Sequence, residues 1–243
     1  MPHASSQAME RLEFPLLLNA RDLGGHTAAG GRRTKWRAFV RSDELARLSP
    51  EGEQALRAYG VRTIVDLRWP AERRERPSVF ESHPGEVAYH HVSLLAENEP
   101  AWKARAPEVP KEMWNRQVLE YARGELARVL RVIAAAAPGT VLFHCMAGKD
   151  RTGLIASLLL DLAGVDAESI ARDYTLSADN LMGYYLSIRP ATEQAQVLEG
   201  VRCPKEQVYG TLAYLERRGG TAAYLSEIGL AESEISRLRE RLV

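Results

Sequence analysis

Residues 139–153, GTVLFHCMAGKDRTG, leave a chain few ways to fold. Val141, Leu142 and Phe143 form a short apolar run suited to a buried strand. A turn containing Gly148 comes next, and Arg151-Thr152-Gly153 leads straight into LIASLLLDLAG, which carries the pattern of a buried helix. A strand delivered through a glycine turn into a helix is half of an α/β unit. Anything at that turn sits beyond the carboxyl end of a strand, where open α/β sheets bind ligands.

The rest of the chain extends this pattern. RAFVR at 37–41, VRTIVDL at 61–67 and the stretch 86–95 read as further strands. Ser49 followed by Pro50 opens a helix and Gly60 closes it. Apolar residues from Val118 to Ile133 recur at helical spacing, so one helix is expected over about 112–137, ended by Pro138-Gly139. Asp166 caps another helix, and three short helices are expected at 204–218, 221–228 and 232–242. Residues 96–111 read as loop and 180–203 as irregular. Strands alternating with helices imply an α/β fold whose central twisted sheet is mostly parallel and flanked by helices, with a helical C-terminal part. The expected organisation is a flexible tail at 1–12 and a single domain at 13–243, with 180–203 as a lid or insertion over the site.

The turn has the parts of an anion site. Main-chain N–H groups of a glycine loop can form a nest for an anion, and the helix after it adds its positive end. Met146, Ala147, Gly148, Lys149, Asp150 and Arg151 would line it. Arg151 carries a planar fork of donors that matches two phosphate oxygens. The same field favours the thiolate of Cys145, since cysteines at helix N-termini beside cations fall below the ordinary thiol range. Cys145 is therefore the candidate nucleophile. A nucleotide-binding loop is excluded by spacing: Phe143 stands where that motif needs glycine, and Asp150 where it needs Ser or Thr. Thiolate chemistry on sulfur or arsenic leaves Lys149-Asp150 without a purpose.

The string HCMAGKDRTG resembles the signature of cysteine-dependent protein tyrosine phosphatases. Together with NARDLGG (19–25), VDLR (65–68) and DYTLS (173–177), it is similar to a bacterial and fungal branch with tyrosine, dual-specificity and phosphoinositide activity. The resemblance runs from about residue 14 to 180. It implies attack by Cys145, a phosphocysteine intermediate and release of inorganic phosphate, with no metal and no cofactor. The implied partners are a phosphotyrosine protein or a phosphoinositide as substrate. It also implies that His144 orients the loop through backbone groups and that Thr152 bonds the thiolate.

Three aspartates compete for the proton donor that the leaving oxygen needs. Trp69-Pro70 is followed by Ala71, so the acid-bearing Trp-Pro-Asp loop of other tyrosine phosphatases is absent. The resemblance favours Asp150, inside the loop. Asp66, at a neighbouring strand end, is the rival, and Asp22 in RDLGG is the third candidate. Lys149 adds a second cation suited to substrates with several phosphates, whereas Met146 stands where one group of lipid phosphatases has a further lysine. Two other readings stay open: a phosphoinositide phosphatase first, or a phosphate-binding module without turnover. His90 and His91 alternate on a strand and cannot share a metal.

Composition narrows the partners. Lys+Arg and Asp+Glu balance at 32 each, so no overall field favours nucleic acid or a membrane surface. No run approaches roughly 18 apolar residues, so stable membrane insertion is not expected. Two cysteines and no leader pattern point to a reducing, cytoplasmic location, with export without a cleaved signal left open.

Overall fold

The computed structural model describes residues 11–82, 85–95 and 110–243. Residues 1–10 of the expected tail at 1–12 and most of the expected loop at 96–111 lie outside them. The chain is paired at Arg11, which bridges Arg21, and Leu12 N donates to Ala20 O at 2.8 Å.

Five strands form one sheet: β1 (Arg21–Asp22), β2 (Phe39–Ser42), β3 (Val61–Asp66), β4 (Ala88–His91) and β5 (Thr140–His144). Their order is β1-β2-β5-β3-β4, with β1 antiparallel and every other pairing parallel. The central strand β5 is buried along its whole length, as its apolar run demands. Its register places His144 opposite both Ser42 and Asp66. The carboxyl ends of β2, β3 and β5 therefore finish level, and the three segments that leave them meet at one edge.

The helices are α1 (Pro50–Tyr59), α2 (Pro70–Glu75), α3 (Val79–Ser82), α4 (Lys111–Tyr121), α5 (Arg123–Ala135), α6 (Asp150–Leu162), α7 (Ala167–Ser187), α8 (Gln194–Val201), α9 (Lys205–Glu216), α10 (Thr221–Glu227) and α11 (Glu232–Leu242). Alternate residues of each inner strand face opposite sides of the sheet. Phe39, Val65, Val141 and Phe143 join the larger core with α4 to α7 and α9 to α11. Val40, Ile64 and Leu142 join a smaller one with Phe14, Leu17, Leu56 and Phe80. Helix α6 is buried on nearly every face, which explains its lack of a polar stripe.

Local signals held at α1, where the Ser49 side chain accepts from Gly52 N and Gly60 closes the helix at φ +104°. They also held at α7, where the Asp166 side chain accepts from Ser169 N. Two expectations did not. The helix expected over 112–137 is two helices, broken at Ala122 (φ −115°, ψ +36°). The apolar period runs through the break because Ala122 is buried between them, so spacing alone hides it. Residues 180–203 are mostly helical: α7 continues to Ser187, a short 3-10 turn covers Ala191–Glu193, and α8 comes after it.

A buried ion cluster ties the first strands to α7. Arg21 Nε donates to Asp173 Oδ1 at 2.7 Å, and Arg41 Nη1 donates to Asp173 Oδ2. Arg21 also reaches the Asp173 carbonyl and Ser177 Oγ. All three charged side chains are almost fully buried. Burial disfavours the charge of Asp173, but the two guanidiniums outweigh it and hold its carboxyl well below the usual range. Burial and repulsion from Arg41 pull Arg21 down to about 10, still charged at neutral pH. Asp173→Asn should cost about 3–5 kcal/mol in chemical denaturation, because it strands two buried cations. A carboxylate depressed in the fold stabilises fully above its unfolded value of about 4, and that contribution drains as pH falls further. The same variant should therefore flatten the acid side of the stability curve.

Candidate functional site

The loop after β5 is held from outside by its carbonyls. His144 Nδ1 donates to Cys145 O at 3.1 Å, and Glu44 N donates to Met146 O at 3.0 Å. Asn19 Nδ2 donates to Ala147 O at 2.9 Å and to Gly148 O at 3.1 Å. Arg41 Nη2 donates to Gly148 O at 2.9 Å and more weakly to Lys149 O, which also receives Gly153 N. Five successive carbonyls thus point away from the loop's centre. In a trans peptide the N–H lies opposite the C=O, so the N–H groups of residues 146–150 face the concave side. That arrangement is an anion nest, with α6 behind it.

Two glycines permit this geometry. Gly148 has φ +65°, and a Cβ there would lie 2.4 Å from Ser42 O at the end of β2. At Gly153 a Cβ would meet the Tyr174 ring at 2.9 Å, so its absence lets α7 pack directly against the first turn of α6.

Cys145 is a free cysteine and only 3% exposed, at the base of the loop. Arg151 is oriented by a group that the sequence did not disclose: Glu72 on α2. Arg151 Nη1 and Nη2 donate to the two Glu72 oxygens at 2.6 and 2.8 Å. Glu72 in turn accepts from Trp69 N at 2.7 Å, and the Trp69 ring lies 5.0 Å from the guanidinium. Burial opposes the charge of Arg151, but Cys145 and Glu72 outweigh it and raise its pKa above the arginine norm. Glu72 uses two of the five donors, which leaves three N–H groups for a ligand.

The three aspartates have different surroundings. Asp66 is fully buried and saturated: Arg68 Nε and Nη2 donate at 3.0 and 2.7 Å, Arg68 N at 2.9 Å and the Tyr89 hydroxyl at 2.6 Å. Burial opposes its ionisation, yet His144 and Arg68 hold it well below the carboxylate range. Burial also lowers the pKa of His144, so Arg68 is the cation that keeps Asp66 charged. Asp22 builds a turn: it accepts from Gly24 N at 2.6 Å, Arg37 N at 2.8 Å and the Tyr59 hydroxyl at 2.6 Å. Asp150 has its side chain 39% exposed, with Lys149 Nζ at 3.2 Å and Tyr174 Oη at 3.0 Å.

His144 is fully buried, with its Nε2 3.8 Å from Asp66 Oδ1. Thr152 Oγ1 is buried without a hydrogen-bond partner among the described residues. A cavity of about 420 Å³ opens over Ala147, Lys149 and Asp150, and its far side is formed by Leu181 and Tyr185 of α7 and Val201 of α8. Lys149 Nζ also donates to Arg202 O at 3.3 Å. Besides Glu72, sequence reasoning missed the work of Asn19, Arg21, Arg41 and Asp173. NARDLGG and DYTLS marked three of these as motifs without saying that they grip the loop.

The chain is similar to several known proteins. A tyrosine-protein phosphatase of Nostoc commune is 35% identical, over 84% of this chain and 74% of its own. A putative tyrosine-protein phosphatase of Cupriavidus necator is 34% identical, over 70% of this chain and 64% of its own. A triple specificity protein phosphatase of Mycobacterium tuberculosis is 26% identical, over 93% and 97%. The crystal structure of Pseudomonas aeruginosa TpbA is a distant match, with a TM-score of 0.35, 17% identity and coverage of 71% and 85%. No helix among the described residues is long and apolar enough to cross a membrane. The sequence profile of the tyrosine phosphatase family matches residues 12–243, and the chain belongs to that family.

Proposed function

We propose that this tyrosine phosphatase hydrolyses its substrate in two steps through Cys145. The thiolate attacks phosphorus, an S–P bond forms, and the P–O bond to the leaving group breaks with its electron pair staying on oxygen. Asp150 protonates that oxygen. A water then attacks the phosphocysteine and passes a proton to Asp150, the S–P bond breaks, and inorganic phosphate leaves. Arg151 and the inward N–H groups hold the equatorial phosphoryl oxygens, where charge builds in the transition state. The observation that carries this reading is the run of five outward carbonyls around Cys145.

Asp150, not Asp66, is the acid in this scheme. A donor must hold a proton and reach the substrate, and Asp150 borders the open cavity. Asp66 has its oxygens closed off by Arg68 and Tyr89, so it serves as an anchor for the strand end. Asp22 stabilises its own turn in the same way. Thr152 Oγ1, buried and without a hydrogen-bond partner among the described residues, can donate to the sulfur as it leaves in the second step. His144 sets the direction of the Cys145 carbonyl.

Tyr185 and Leu181 supply an apolar wall for the substrate's ring. Lys149 and Arg189 border the same cavity, which supports a second reading as a phosphoinositide phosphatase. The end of α7, the 3-10 turn and α8 act as a cover over the opening, and residues 13–243 act as one domain. Retention of Cys145, Arg151 and Asp150 together favours turnover over a module that only binds phosphate.

Cys145→Ser should abolish hydrolysis of an aryl phosphate in EDTA while circular dichroism stays unchanged; retained turnover would rule the mechanism out. Asp150→Asn should lower kcat/KM, which reports the first step, by roughly 10²-fold or more for a poor leaving group such as phenol, and much less for a dinitrophenol. A larger loss at Asp66→Asn, with the fold intact, would return the acid role to Asp66. Lys149→Ala should weaken hydrolysis of a short-chain phosphoinositide more than that of a phosphotyrosine peptide; equal losses would remove the lipid reading.

A further inference from the structure

Behind Asp150 lies a row of buried polar groups whose direction can be worked out from its far end. Thr211 Oγ1 donates its single proton to Gln207 O at 2.6 Å. Its oxygen can therefore only accept from Asn115, whose Nδ2 is 3.0 Å away. With the amide of Asn115 so turned, its Oδ1 receives Gln207 Nε2 at 3.0 Å. Gln207 must then present Oε1, an acceptor, to Tyr174 Oη at 2.9 Å. Tyr174 has one proton and two neighbours, Gln207 Oε1 and Asp150 Oδ1, the latter at 3.0 Å. Asn115, Thr211, Gln207 and Tyr174 are each about 1% exposed, so water does not easily replace a missing partner.

We propose that the Thr211–Asn115–Gln207 row, fixed between α4 and α9, turns the Tyr174 hydroxyl toward Gln207 and so presents a lone pair to Asp150. This makes Tyr174 a positioning residue for the acid assigned to Asp150, and it rests on that assignment. A protonated Asp150 donates to Tyr174 Oη, Tyr174 donates to Gln207 Oε1, and every buried group in the row is paired. An ionised Asp150 leaves two acceptors facing each other. The phenol must then swing its proton to Asp150, which leaves Gln207 Oε1 unpaired. The row therefore favours the form of Asp150 that can give a proton to the leaving oxygen. It also favours recovery of that proton from water in the second step.

The charged and titratable groups around Asp150 act differently. Lys149, at 3.2 Å, and Arg151, next in sequence, favour the carboxylate. Cys203, which precedes α9, lies within its electrostatic reach. Arg189 and Glu193 border the same cavity. Among the described residues, only the Tyr174 side gives the neutral acid a specific hydrogen-bond partner. Burial, with Asp150 and Cys203 nearby, raises the Tyr174 pKa far above that of an ordinary phenol, so it stays a hydroxyl throughout.

Gln207→Met and Tyr174→Phe test this, with fold checked by circular dichroism. Each should lower kcat/KM, which reports the first step, about tenfold for phenyl phosphate and leave it within about twofold for dinitrophenyl phosphate. Each should also move the alkaline limb of the kcat/KM profile about one pH unit lower. Added to Asp150→Asn, neither should cost anything more. Losses equal for the two substrates, with an unmoved limb, would overturn the proposal and leave the row a packing feature. If Asp150→Asn itself shows no dependence on leaving group, it is the acid assignment that fails. Tyr174→Phe keeps the ring against Gly153, so it gives a result even if Gln207→Met does not fold.

Discussion

A phosphate-binding loop needs its amides turned inward, and nothing within the loop enforces that. Five carbonyls must be satisfied on the outer side; His144 and Gly153 reach two of them from the flanking residues, and the other donors come from distant parts of the chain. Asn19 and Arg41 take the largest share, and both are held in turn. Arg41 is bound to Asp173, while Arg21 is bound to Asp173 and donates to Asn19 Oδ1 at 2.6 Å. The nest of inward N–H groups is thus the inner face of a shell whose outer face is a buried ion cluster. Such a cluster is weak evidence for stability. Its value here is directional, because it fixes where main-chain dipoles point.

The same logic separates the two carboxylates beside the loop. Asp66 and Asp150 lie beyond adjacent strands and are similar in sequence terms. Asp66 receives a guanidinium, a phenol and a main-chain N–H, and all of them stabilise its charge. Asp150 receives one ammonium group, one phenolic oxygen and solvent. Two groups of one chemical type thereby stand in opposite surroundings, one closed off among donors and one open to the cavity. Glu72 does comparable work for Arg151, spending two donors to set the plane of the other three.

The range of each interaction decides whether the sequence reveals it. The strand, loop and helix around Cys145 were legible because their signals lie within fifteen consecutive residues. Caps at Ser49 and Asp166 were legible for the same reason. Partners separated by long stretches were not: Asn19 and Gly148 are 129 residues apart, and Glu72 and Arg151 are 79 apart. Glu72 also sits in an arginine- and glutamate-rich helix, where one acidic residue looks like any other. The break at Ala122 was hidden because a buried alanine keeps the apolar period intact on both sides. Residues 180–203 looked irregular because Gly183, Pro190 and Gly200 dilute the pattern of helices that pack only on one side.

Helix α7 performs two jobs along its length. Its first turns carry Asp173, Tyr174 and Ser177 and meet the back of the loop; its later turns carry Leu181 and Tyr185 and face the opening. The side chains that hold the loop and those that border the opening are therefore segregated along a single rod, about one turn apart. Lineages could remodel the distal end to admit new ligands while inheriting the proximal end unchanged, and a bend midway would be felt at both.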